Sequence, residues 1–119
     1  MVSVLPPSSA AVIALPARLF PGDEAYEQCR RLLLQAARAG EPLIVDCSRA
    51  RVFGASVLGL LVQAELAAGE SSAGLVLCNV PPMAQEVLRL THLGDLWPIH
   101  PTVADALDAL GEPPVLIEA

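Results

Sequence analysis

Lysine is absent from these 119 residues: all seven basic side chains are arginine, against thirteen Asp and Glu, for a net charge of −6. Nucleic-acid binding needs clustered positive charge, so this balance argues against a nucleic-acid partner. It argues equally against an anionic membrane surface. No run of about 18 apolar residues is free of charge or proline, so direct membrane insertion is not expected. The most apolar stretch, Ser56–Gly69, is interrupted by Gln63 and Glu65. The opening MVSVLPPSSA has no basic residue and no long apolar core, so no secretory leader is expected and a cytoplasmic protein is. Aromatics are only 3%, which leaves a core of Leu, Val, Ile and Ala.

Catalytic signatures are missing too. Without lysine there is no Walker A loop, and no G-x-G-x-x-G follows a strand-like run. Gly54-Ala55-Ser56-Val57-Leu58 fails the G-x-S-x-G elbow at its second glycine, and nothing places a base beside Ser56. The three cysteines, Cys29, Cys47 and Cys78, form no C-x-x-C and each sits in an apolar run, so buried thiols are expected. His92 and His100 have no partner at metal-ligand spacing. No cofactor, no metal and no enzymatic activity are expected.

What is present is an alternation of strands and helices. Val2–Leu5 and Ala11–Leu15 are β-type runs separated by Pro6-Pro7-Ser8-Ser9, which predicts an antiparallel pair. Asp23 is placed to cap a helix over Glu24–Ala39, whose apolar positions recur at helical spacing up to Gly40. Leu43–Val45 reads as a buried strand closed by Asp46, which suits a cap on the following turn or a binding site. A second helix spans Ser56–Ala68, with Ser56 as its N-cap and Gln63 and Glu65 as a narrow exposed stripe. Gly74–Val80 is a strand, Pro82–His92 a helix stopped by Gly94, and Trp97–His100 a last short strand. Thr102 with Asp105 forms a weaker capping box for a fourth helix that ends at Gly111. The order predicts an α/β fold: a mixed, mainly parallel sheet of four to five strands with four helices.

The segment from Leu43 to Leu61, LIVDCSRARVFGASVLGLL, resembles the central part of the STAS domain family, the anti-sigma factor antagonists and their relatives. Asp46 and Ser48 match the family's first Asp and Ser, Val52 and Phe53 its apolar pair, and Leu58 and Leu61 its helix leucines. Gly74–Val80 is similar to the next strand, Val87–Ile99 to the helix and strand after it, and Thr102–Leu110 to the terminal helix. The resemblance implies one STAS-like domain over residues 1–119, with its core at about 11–110.

It also implies a regulatory module that works by binding a protein, such as a kinase-like anti-sigma factor or a signalling scaffold. The family's pattern at the start of the second helix is Asp-Ser-Ser-Gly-Leu, and a partner kinase phosphorylates the serine after the Asp. Here Gly54 stands for the Asp, Ala55 for that serine and Val57 for the glycine; Ser56 alone remains and is the one nearby substitute phosphosite. The implied partner surface is Arg49, Arg51, Phe53, Gly54, Ala55, Ser56 and Val57, with both arginines able to meet acidic groups. An accessory subunit of a membrane transport or lipid-trafficking ATPase is the alternative, then a small-ligand sensor. Homodimerisation is left open.

Overall fold

A computed structural model describes residues 10–40, 42–68 and 75–110. The strand proposed at Val2–Leu5, and with it the antiparallel pairing, lies outside the described residues. The described sheet has four strands, all parallel: β1 (Ala11–Ala14), β2 (Leu43–Asp46), β3 (Leu75–Cys78) and β4 (Ile99–His100). The helices are α1 (Glu24–Arg38), α2 (Ala55–Ala68), α3 (Pro82–Thr91) and α4 (Val103–Ala109), with a 3-10 turn at Leu93–Asp95.

The sheet order is β1-β2-β3-β4, so each strand is added beside the one before it. Crossovers of one hand then place all three connecting helices on the same face, leaving the other face to α4. The side chains follow this division with period two. Leu43, Val45, Leu75 and Leu77 join Leu33, Leu61 and Leu88 in the larger apolar cluster. Ile44, Val76 and Cys78 turn the other way and meet Ala106 of α4. Both inner strands are apolar on both faces, which is why they read as unbroken runs rather than alternating ones.

α1 buries Cys29, Leu33 and Ala37, and α2 buries Val57, Leu60, Leu61 and Ala64. The two helices pack side by side, and Arg30 Nε donates to Gln63 Oε1 across their outer surface at 3.3 Å. Glu65, expected in a solvent stripe, instead accepts a 3.1 Å hydrogen bond from Trp97 Nε1. Trp97 is fully buried and needs an acceptor for its indole N–H.

Helix ends follow the sequence signals in part. Gly40, at φ +77°, takes the left-handed position after α1. Thr102 Oγ1 accepts from the Asp105 N–H at 3.1 Å, so the expected cap of α4 forms. Asp23 stands at the start of α1 without a side-chain cap bond. α3 stops at a left-handed His92, φ +61°, rather than at Gly94. Among the described residues no helix is long and apolar enough to cross a membrane.

All three cysteines are buried. Burial pushes the Cys47 thiol up to about 12, with Cys78 and the Asp46 carboxylate adding to the rise. Burial, then Asp46, pushes Cys78 up to about 11. Since the thiolate is the reactive form, a disulfide reagent at pH 8 should label the native thiols at least about a hundredfold more slowly than the urea-unfolded chain. Equal rates in the two states would contradict the burial of β2 and β3.

Candidate functional site

Parallel strands followed directly by helices bring all four helix N-termini to one end of the sheet, beside the loops that leave β1, β2 and β3. The loop from β2 to α2, residues 47–54, is the centre of this rim.

Asp46 closes β2 and organises the loop. Its Oδ1 accepts from the Ser48 N–H at 3.0 Å and from Asn79 Nδ2, on the loop after β3, at 3.0 Å. Asn79 adopts φ +52°, a conformation asparagine tolerates well. Partial burial raises the Asp46 pKa, but the Ser48 backbone N–H, Asn79, the Ser48 side chain and the Arg49 charge together bring it below the ordinary value of 3.8. Asp46 is thus the turn cap that its position suggested, and it also joins two loops.

A lowered folded-state pKa means that the stabilisation is complete above the pH where an unfolded aspartate ionises. It is lost as the pH falls below about 4. Asp46→Ala should cost about 1–3 kcal/mol at pH 7 by stranding two donors. The gap from wild type should narrow in urea titrations taken from about pH 5 to pH 3. A gap that stays constant over that range would show that the carboxylate charge is not what holds the loops.

Beyond Asp46, the Ala50 N–H donates to the Cys47 carbonyl at 3.1 Å and closes a turn. Ala50 and Phe53 sink into the core, whereas Arg49, Arg51 and Val52 stay exposed. The Arg51 N–H donates to the Ala17 carbonyl at 2.9 Å, which ties this loop to the one leaving β1. That tie brings Arg18 and Phe20, both exposed, to the same rim. Neither was singled out from sequence, because a backbone bond between two loops has no side-chain signature.

α2 begins at Ala55, and the Gly54 carbonyl accepts from the Leu58 N–H at 3.0 Å. Gly54 therefore holds the cap position, and Ser56 is the second helical residue instead of the N-cap. Ala55 is exposed and Ser56 half-buried. Phe53 and Val57 differ from the expected surface placement: they are 4% and 2% exposed and pack in the larger cluster. They hold the loop and helix start in place, and their side chains do not form the surface. The first turn of α2 carries no acidic residue, so its free N–H groups face the rim without a counter-charge of their own.

To one side, a groove of about 740 Å³ runs between α3 and β4, with Asn79, Glu86, Arg89, Asp95 and His100 in its lining. Its Arg89 is paired with Glu86. The rim itself exposes both polar and apolar side chains, Arg18, Phe20, Arg49, Arg51 and Val52 among them.

Comparison with known proteins agrees with this geometry. A family model described as STAS domain matches residues 23–106. The solved structure of an anti-sigma-factor antagonist (STAS) domain protein from Planctomyces limnophilus is similar to this chain at a TM-score of 0.73. Its sequence is 31% identical, over 85% of this chain and 90% of that one. No curated protein gives a match. With the family model spanning well over half of its length, and with a solved member of similar fold at 31% identity, the chain belongs to the STAS domain family.

Proposed function

We propose that this protein is a non-catalytic regulatory module of the anti-sigma factor antagonist kind, fixed in the form that an unphosphorylated member presents to its protein partner. One observation carries the reading. Ala55 is the first residue of α2 and its side chain is exposed on the rim, at the position where the resemblance puts the phosphorylated serine. Alanine has no hydroxyl, so position 55 cannot accept a phosphate.

Ser56, one residue on, is half-buried in the first turn of the helix, and on this reading it does not serve as the switch. Phosphopeptide mapping of the protein from its own cells should find Ser56 unmodified. A stoichiometric phosphate there that comes and goes with cell state would overturn the fixed-state reading.

The contact itself is assigned to the exposed part of the rim, Arg49, Arg51 and the start of α2. Replacing both arginines, Arg49→Glu with Arg51→Glu, should slow association with the partner and reduce its dependence on salt. The protein should stay folded, because exposed charges contribute about 0–1 kcal/mol each. Stopped-flow association at low and high salt measures the first, and urea unfolding the second. Unchanged kinetics at both salt concentrations would remove this loop from the interface.

A further inference from the structure

We infer that the binding surface spans both the β1 and the β2 loops and takes an acidic protein partner that offers apolar pockets; this rests on the protein-binding reading above and extends it. The two loops leave adjacent parallel strands and are joined by the Arg51 N–H to Ala17 carbonyl bond. Each is built alike. One apolar side chain goes in, Leu19 at 3% exposure and Phe53 at 4%, and its neighbour goes out, Phe20 at 48% and Val52 at 41%. The buried member of each pair belongs to the same apolar cluster, so the exposed members project from an anchored base.

Arg18, Arg49 and Arg51 flank these two apolar groups and are exposed. Among the described residues none of the three forms a salt bridge, whereas Arg30 and Arg89 are occupied by Glu27 and Glu86. Asp46, the carboxylate nearest in sequence, is hydrogen-bonded to Ser48 and Asn79 and feels the Arg49 charge without forming a salt bridge with it. Asp23, at the cap of α1, and Glu24, in its first turn, stand at the same end of the sheet, where they meet the helix dipole.

A protein of net charge −6 thus places three of its seven cations around two exposed apolar side chains. Aromatic and arginine side chains, phenylalanine included, are enriched at protein interfaces. An acidic partner would be drawn to the arginines of these two loops and away from the acids at the start of α1, which fixes its orientation as well as its affinity. Three cations against that net charge are too few for nucleic acid, whose binding scales with the number of phosphates neutralised.

The test uses the full chain in its own cells. Phe20, Val52 and Leu90 are replaced in turn by p-benzoylphenylalanine. Leu90 is also exposed, but it lies near the far end of α3. After irradiation, the adducts and the cross-linked segments are identified by mass spectrometry. Positions 20 and 52 should cross-link to one and the same protein, at a segment that carries Asp or Glu beside apolar residues, and position 90 should not. Arg18→Glu with Arg49→Glu should then slow association with that protein at least tenfold at low salt, and the difference should shrink at high salt.

A cross-link from position 52 alone would overturn the two-loop surface while leaving the proposed function standing. Adducts with a basic protein, with nucleic acid or with a second copy of this chain would overturn the acidic partner. No adduct from either position would overturn both readings.

Discussion

Replacing Leu61 with alanine should remove about 2–5 kcal/mol of stability, through lost transfer energy and the cavity left behind. Leu61 is 0% exposed on the inner face of α2, in the cluster that joins α1, α2, α3 and the sheet. The aliphatic core has few bulky side chains that could shift to fill the gap, and interiors packed at crystal-like density relax only in part. A domain holds about 5–15 kcal/mol in total, so the urea midpoint should fall by a large fraction.

Leu66 is the internal control. It lies on the same helix but is 76% exposed, and Leu66→Ala should change stability by about 0.5 kcal/mol or less. The contrast between two leucines five positions apart tests the orientation of α2 directly. Similar losses at both would mean that the helix is rotated from the position described.

The parts of the fold that were legible in the sequence are those set by local pattern. Leu43–Val45 and Leu75–Cys78 are unbroken apolar runs, and only a strand buried on both faces requires that composition. Cys29, Leu33 and Ala37 recur at helical spacing because one stripe of α1 faces the core. Asp46 was readable as a turn cap because it closes a strand two residues before the N–H that it accepts.

What escaped depends on partners distant in sequence or on groups without a side-chain signal. Glu65 looked like part of a solvent stripe with Gln63, since nothing local points to an indole 32 residues away. Val52 and Phe53 are adjacent and both apolar, and only the packed loop decides that the valine goes out and the phenylalanine in. The cap of α2 is a glycine, which offers no oxygen of its own, so the neighbouring serine attracted the assignment. His92 takes a left-handed conformation that glycine usually fills, which moved the end of α3 upstream of Gly94.

Ala55→Asp should leave the domain folded and weaken partner binding about a hundredfold or more. Ala55 is exposed in the first turn of α2, where a carboxylate meets the positive end of the helix dipole and gains about 0.3–1 kcal/mol. Stability should therefore hold or rise slightly. At an interface the same charge must lose its water, and an unpaired anion buried there costs several kcal/mol. At 1.4 kcal/mol per tenfold, two such decades are lost for about 2.8 kcal/mol. An acidic partner would add like-charge repulsion in the same direction.

A rebuilt switch separates charge from shape. A Cβ at Gly54 meets nothing within 4 Å, so Gly54→Asp with Ala55→Ser can restore the family's Asp-Ser without moving the backbone. The restored Asp at the cap of α2 should add about 0.3 kcal/mol, because glycine is itself a tolerated cap and the carboxylate only adds an acceptor for first-turn N–H groups. Ala55→Ser alone should bind the partner no more weakly than about threefold below wild type, since the serine is uncharged. Titration calorimetry of wild type, Ala55→Asp and Ala55→Ser against the same partner reads all three. If Ala55→Asp binds as tightly as wild type, position 55 lies outside the interface and the fixed-state reading fails. If Ala55→Ser is as weak as Ala55→Asp, the rim tolerates no added polar group and the sensitivity at 55 is steric, not electrostatic.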